Sequence, residues 1–172
     1  MKKITLLSAV AAFVLASCAG NPEGKKAETK DSVAITQTEV VGNTLNVDTA
    51  ASKVVWTGTK VTGKHTGTVS IKSGTLNVDN GKLVGGNVVL DMNTISSTDL
   101  EGEFKGKLDG HLKSEDFFAV ASHPEATFTI TEVKPGATDQ DLNISGNLVI
   151  KGVSKNITFD AKIVESTEAT VK

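Results

Sequence analysis

The 172-residue chain carries 18 basic and 20 acidic side chains for a net charge of −2, and every basic residue is Lys. A chain of this length builds one core without staples, while scattered charge and the lack of Arg exclude a nucleic-acid binder that tracks phosphates with a basic face. Thr, Val and Gly abound, Leu-rich helical periodicity is scarce, and the only aromatics are one Trp and six Phe, a balance that favours strands and an all-β fold.

Met1-Lys2-Lys3 precedes an apolar run, Ile4 to Ala16, that is too short to span a bilayer and reads as a secretory signal. The run ends Leu15-Ala16-Ser17-Cys18-Ala19-Gly20, which resembles a bacterial lipobox with Cys18 as the lipid-bearing first residue. Cys18 is the only Cys, so no internal disulfide competes for it. Residues 1–17 are therefore expected as a lipoprotein signal peptide. Residues 18–42, rich in Lys, Glu, Thr, Ser and Gln, are expected as the acylated Cys and a flexible tether. An exported cell-envelope lipoprotein follows, on the periplasmic face or anchored at the outer membrane, with acyl chains as its membrane contact.

The folded domain spans residues 43–172. Thr44 to Asp48 and Ser52 to Lys60 alternate as strands, with Val54, Trp56 and Gly58 on one face. Gly63 to Gly67 supplies glycines for a turn, and Thr68 to Lys72 alternates again through Val69 and Ile71. Leu76 to Val78 leads to Asp79-Asn80-Gly81-Lys82, whose Asn-Gly pair marks a hairpin. Leu83 to Met92 returns as a strand with a bulge or bend at Gly85-Gly86. From Ser97 to Leu112 the period changes: Leu100, Phe104, Leu108 and Leu112 recur every four residues, predicting a short amphipathic helix capped by Ser97 or Thr98. Its three glycines weaken it, so it should form only when docked. Strands resume over Ala126 to Val133, Leu142 to Ile150 and Ile157 to Ile163. The pattern suits a curved antiparallel sheet closed, or nearly closed, into a barrel.

Three His invite a metal reading, but His65 is far from His111 and His123 in sequence and no Cys or paired acid stands at ligand spacing. His111, Ser114 and Asp116 could be drawn as a catalytic trio. They lie within six residues of one another and no nucleophile motif frames Ser114, so turn capping explains them better and no catalytic residue is assigned. Phe117 and Phe118 are explained as core or as ligand contacts. Trp56 is expected to be buried with its indole N–H bonded.

The segment HLKSEDFFAVASHPEATF, His111 to Phe128, closely resembles the central motif of the YceI family. VVWTGTKVTGKHTGTV near the start and GNLVIKGVSKNITFDAKI near the end match the same family, and the resemblance runs from about Leu45 to Val164. It implies an antiparallel, lipocalin-like barrel of the eight-stranded type holding a long isoprenoid, a polyprenyl lipid or a quinone. The lining and rim would come from Trp56, His65, Ile71, Leu90, Phe104, Leu108, Phe117, Phe118, Phe128, Leu148 and Phe159. No other cofactor and no metal are implied, and a second copy in a homodimer is a further candidate partner. Two departures stand out: His123 replaces a Tyr before the motif's Pro, and the chain reaches Lys172 without the family's usual closing hairpin. The expected barrel is therefore short of its closing strand. The alternative is a non-catalytic structural or interaction module whose barrel is filled by its own side chains.

Overall fold

The computed structural model describes residues 27–35, 42–167 and 169–172. The expected signal peptide, Cys18 and most of the expected tether lie outside the described residues. In chain order the elements are β1 (Glu28–Asp31), β2 (Asn43–Asn46), β3 (Val54–Lys60), β4 (Gly63–Asp79), β5 (Lys82–Ser97), α1 (Gly102–Lys113), β6 (Glu125–Pro135), β7 (Asp141–Ile150), β8 (Val153–Lys162), and a small hairpin of β9 (Ser166–Thr167) and β10 (Thr170–Val171). The first eight strands form one antiparallel sheet in the order β1-β8-β7-β6-β5-β4-β2, with β3 paired to the other half of β4. Among the described residues β1 closes one edge and β2 with β3 the other, so the sheet curls as a lipocalin-like barrel would but does not join.

Local chemistry sets the turns. Asn80 and Gly81 (φ 48° and 72°) and Lys151 and Gly152 (φ 50° and 73°) are two-residue connections with both φ values positive, the geometry that matches strand twist in a tight hairpin. The register between β4 and β5 shifts between Asn77↔Gly85 and Val78↔Leu83, placing a bulge beside the Gly85-Gly86 pair as the sequence predicts. Gly63 to Gly67, expected as a turn, is instead the start of a 17-residue strand. Gly63 pairs with Lys60 and the chain reverses at Val61-Thr62; Gly67 serves a close side-chain approach, described below.

Two expectations change at the edges. Glu28 to Asp31, assigned to a flexible tether, pairs with Thr158 to Lys155 of β8. Past this strand, Val33 is held on both sides by Asn147, whose Oδ1 accepts from Val33 N at 3.1 Å and whose Nδ2 donates to Val33 O at 2.6 Å. The helix begins at Gly102 rather than Ser97, with Glu101 at its N-cap and no side-chain capping bond. Ser97 and Thr98 do not cap it, because Ser97 is still paired in β5 and Thr98 N donates to Thr66 O at 2.9 Å.

One sheet face is apolar. Ile71 pairs with Leu90 and Leu90 with Ala126; Val88 pairs with Phe128 and Phe128 with Leu148, and cross-strand neighbours share a face. The compact core sits at one end, where Val69, Met92, Ile95, Leu112, Val120 and Ala126 are buried together. Helix α1 and the following loop cover that end.

Candidate functional site

The covered end is built by α1, the loop to β6 and the ends of β3, β4 and β5. Helix α1 docks through positions 105, 108, 109 and 112, which lie on one side of a 3.6-residue turn. Leu112 is buried and Leu108 packs against the core. Asp109 accepts from Ser97 N at 2.7 Å and from Ser96 Oγ at 2.7 Å, and Lys105 donates to Ser96 Oγ and Ser97 O. Burial alone would raise the Asp109 pKa, but the Ser97 N–H, the Ser96 hydroxyl and Lys105, 3.2 Å away, together hold it below the ordinary 3.8. The predicted stripe is therefore turned: Phe104, expected at the lining or rim, is 73% exposed, because the polar pair Lys105 and Asp109 takes the docked side.

The His111 to Phe128 segment folds into tight turns. Ser114 Oγ donates to His111 O at 2.7 Å, Phe118 N to Leu112 O at 3.1 Å, and Ala119 N to Ser114 O at 2.8 Å. The two Phe rings meet edge to face at 4.6 Å, yet they part company. Phe118 packs against the core whereas Phe117 is 44% exposed and stands 5.6 Å from the His111 ring. The pair thus supplies one inward ring and one rim ring.

His65 sits at the rim, its Nδ1 2.9 Å from Asp99 Oδ2. That bond, with support from Thr66 N, lowers the Asp99 pKa. Trp56, Ile71, Leu90, Phe128, Leu148 and Phe159 are all half-buried on the apolar face, with the Phe128 and Phe159 rings 5.6 Å apart. The structure brings these six to one surface. His65, Leu108, Phe117 and Phe118 collect at its covered end, and only Phe104 leaves it.

Trp56 departs from expectation in one further respect. Its Nε1 is buried without a hydrogen-bond partner among the described residues, and so is Ser97 Oγ. A buried unsatisfied polar group costs roughly 1 to 3 kcal/mol. Both orphans flank Gly67, which pairs with Trp56 on one side and Ser97 on the other. Sequence reading missed Ser97 as a site residue, since no local pattern tells which strand will lie beside Gly67.

The opposite face is polar. A cleft of about 540 Å³ opens there between β1 and β6, lined by groups such as Lys30, Thr131, Lys134, Asn143, Ser145 and Thr158. Asn147 and Asn156 are buried at its floor level, and Asn156 Nδ2 donates to Asn147 Oδ1 at 3.0 Å. Its lining does not suit an apolar chain. Among the described residues no group of three or more His, Cys, Asp and Glu is placed to hold a metal ion.

A curled antiparallel sheet with one apolar face and one helix-covered end defines a lipocalin-like protein. Residues 45–172 match the model of the YceI-like domain, and the chain belongs to that family. It is 41% identical over 78 residues to a UPF0312 protein of Pectobacterium atrosepticum, a match covering 45% of this chain and 36% of the relative. It is also 41% identical over 71 residues to protein YceI of Escherichia coli, covering 41% of this chain and 36% of that protein. The alignments thus span about a third of the length of these curated relatives. The crystal structure of BcnA from Burkholderia cenocepacia superposes with a TM-score of 0.57 at 20% identity, covering 70% of this chain and 73% of that one, which shows a shared fold.

Proposed function

We propose that the protein is a non-catalytic carrier that binds a long apolar molecule of the isoprenoid class, a polyprenyl lipid or a quinone, on the apolar face of its sheet. It would work in the cell envelope, held to a membrane by acylated Cys18. The observation that carries the reading is the row of half-buried apolar groups, Trp56, Ile71, Leu90, Phe128, Leu148 and Phe159, on one face of a lipocalin-like sheet. Side chains that stay half-buried have apolar surface left to cover, and covering it with a hydrocarbon chain yields about 25 cal/mol per Å². Membership of the YceI-like family and the three sequence motifs support the same class of ligand. Solvent extraction of the purified protein followed by mass spectrometry tests it, together with uptake of an added polyprenol or quinone. A co-purifying isoprenoid or saturable uptake is expected; protein that carries no lipid and takes up neither compound is not a carrier.

A further inference from the structure

Resting on the carrier reading, we infer that Trp56 Nε1 and Ser97 Oγ form a polar anchor that takes one terminal oxygen, hydroxyl or carbonyl, of the bound apolar molecule. The two groups belong to neighbouring strands, β3 and β5, on either side of Gly67 in β4. Residues paired across a ladder point their side chains to the same face, so both lie on the apolar face. The missing Cβ of Gly67 leaves the space between the two strands to the indole. A β-carbon there would stand 2.3 Å from Trp56 Cζ2 and 2.4 Å from Cε2, the atom bonded to Nε1, and 2.1 Å from Ser96 O. The indole edge is thereby brought against the strand that carries Ser97.

The chemistry of the pair selects its guest. Indole N–H only donates, whereas a serine hydroxyl donates or accepts. A carbonyl oxygen can accept from both, and an alcohol can accept from Trp56 while bonding Ser97 in either sense. A hydrocarbon satisfies neither. An anionic head group is disfavoured, because the Asp109 carboxylate lies 2.7 Å from Ser97 N and Lys105 is already engaged by Asp109, Ser96 and Ser97 O. Ser97 is 2% exposed, so bulk water does not compete at the anchor.

The chain has a single Trp, which makes Trp56 its own reporter. The full chain is titrated with a long polyprenol and with the hydrocarbon of the same skeleton, following binding and Trp56 emission. The alcohol is expected to bind about tenfold more tightly, the worth of one well-made buried hydrogen bond, and to red-shift the emission where the hydrocarbon does not. Ser97→Ala and Trp56→Phe should each reduce that preference severalfold, and Ser97→Ala, which removes no apolar contact, should leave hydrocarbon affinity within about twofold. Ser97→Ala should also melt no lower than the parent, since its hydroxyl has no partner among the described residues to lose. Equal affinity for both compounds, or a preference that survives both substitutions, overturns the anchor and leaves the carrier reading standing. Failure of both compounds to bind overturns the two together.

Discussion

The indole of Trp56 lies against the backbone of Gly67, so close that a β-carbon on Gly67 would come within 2.3 Å of the ring. Real β-carbons do not approach at that distance, and the ring cannot step aside without leaving the core that it packs against. Gly67→Ala is expected to cost about 2 to 3 kcal/mol by overpacking, measured by urea denaturation. A loss under about 0.5 kcal/mol, the usual range of surface changes, would show that both the ring and the Ser96 carbonyl, 2.1 Å from the same β-carbon, give way freely. The same relation recurs in Gly146, whose β-carbon would stand 2.3 Å from Phe128 Cζ, and Gly146→Ala should behave alike.

Asp109 ties α1 to the end of β5. Asp109→Ala leaves the Ser97 N–H without its acceptor and removes the carboxylate beside Lys105, an expected cost of about 2 to 3 kcal/mol. Its pKa is lowered in the folded chain, so its contribution is fully present above the unfolded value and is lost as pH falls through the folded one. Asp99, lowered by its bond to His65, has the same sign. Stability should therefore decline below the ordinary aspartate value of 3.8, and the decline should be shallower in Asp109→Asn. An identical acid profile for parent and variant would show that this carboxylate is not coupled to folding.

Much of this architecture is legible in the sequence because strand alternation and turn chemistry are local. The Asn80-Gly81 hairpin and the one-face rows of β7 and β8 follow from period and from residues that tolerate positive φ. The helix stripe misleads because it counts only apolar groups. Docking also has to satisfy Ser96 and Ser97, so Lys105 and Asp109 turn inward and Phe104 outward. Strand β1 is hidden because Glu28-Thr29-Lys30-Asp31 has no apolar signal and pairs through backbone groups that any sequence possesses. The alignment of Trp56, Gly67 and Ser97 joins three strands across 42 positions of sequence, and no window of local pattern reaches that far.

The rotated helix gives a direct comparison. Leu112 is 6% exposed in the core and Phe104 is 73% exposed. Leu112→Ala should cost roughly 2 to 5 kcal/mol through the lost burial and the cavity left behind. Phe104→Ala should stay within about 0.5 kcal/mol, although Phe is the larger side chain. Thermal denaturation of the two variants tests this, and a larger loss at Phe104 would restore the four-residue stripe.

Asn147 decides whether β1 stays on the sheet. It is 6% exposed, clasps both backbone groups of Val33, and accepts from Asn156. A second side-chain tie at this edge, Lys155 to Asp31 at 2.8 Å, joins groups 49% and 96% exposed, and an exposed ion pair contributes little. With the clasp removed, the four backbone pairings of β1 to β8 would have to order the segment alone, against roughly 1 to 2 kcal/mol of backbone entropy per residue. Asn147→Ala should therefore release residues 28–33 and uncover the edge of β8, an unpaired strand edge that invites association. Hydrogen exchange by mass spectrometry should show protection lost over Glu28 to Val33 while β6 and β7 remain protected. If those amides stay protected in the variant, backbone pairing alone holds β1 and the clasp is incidental.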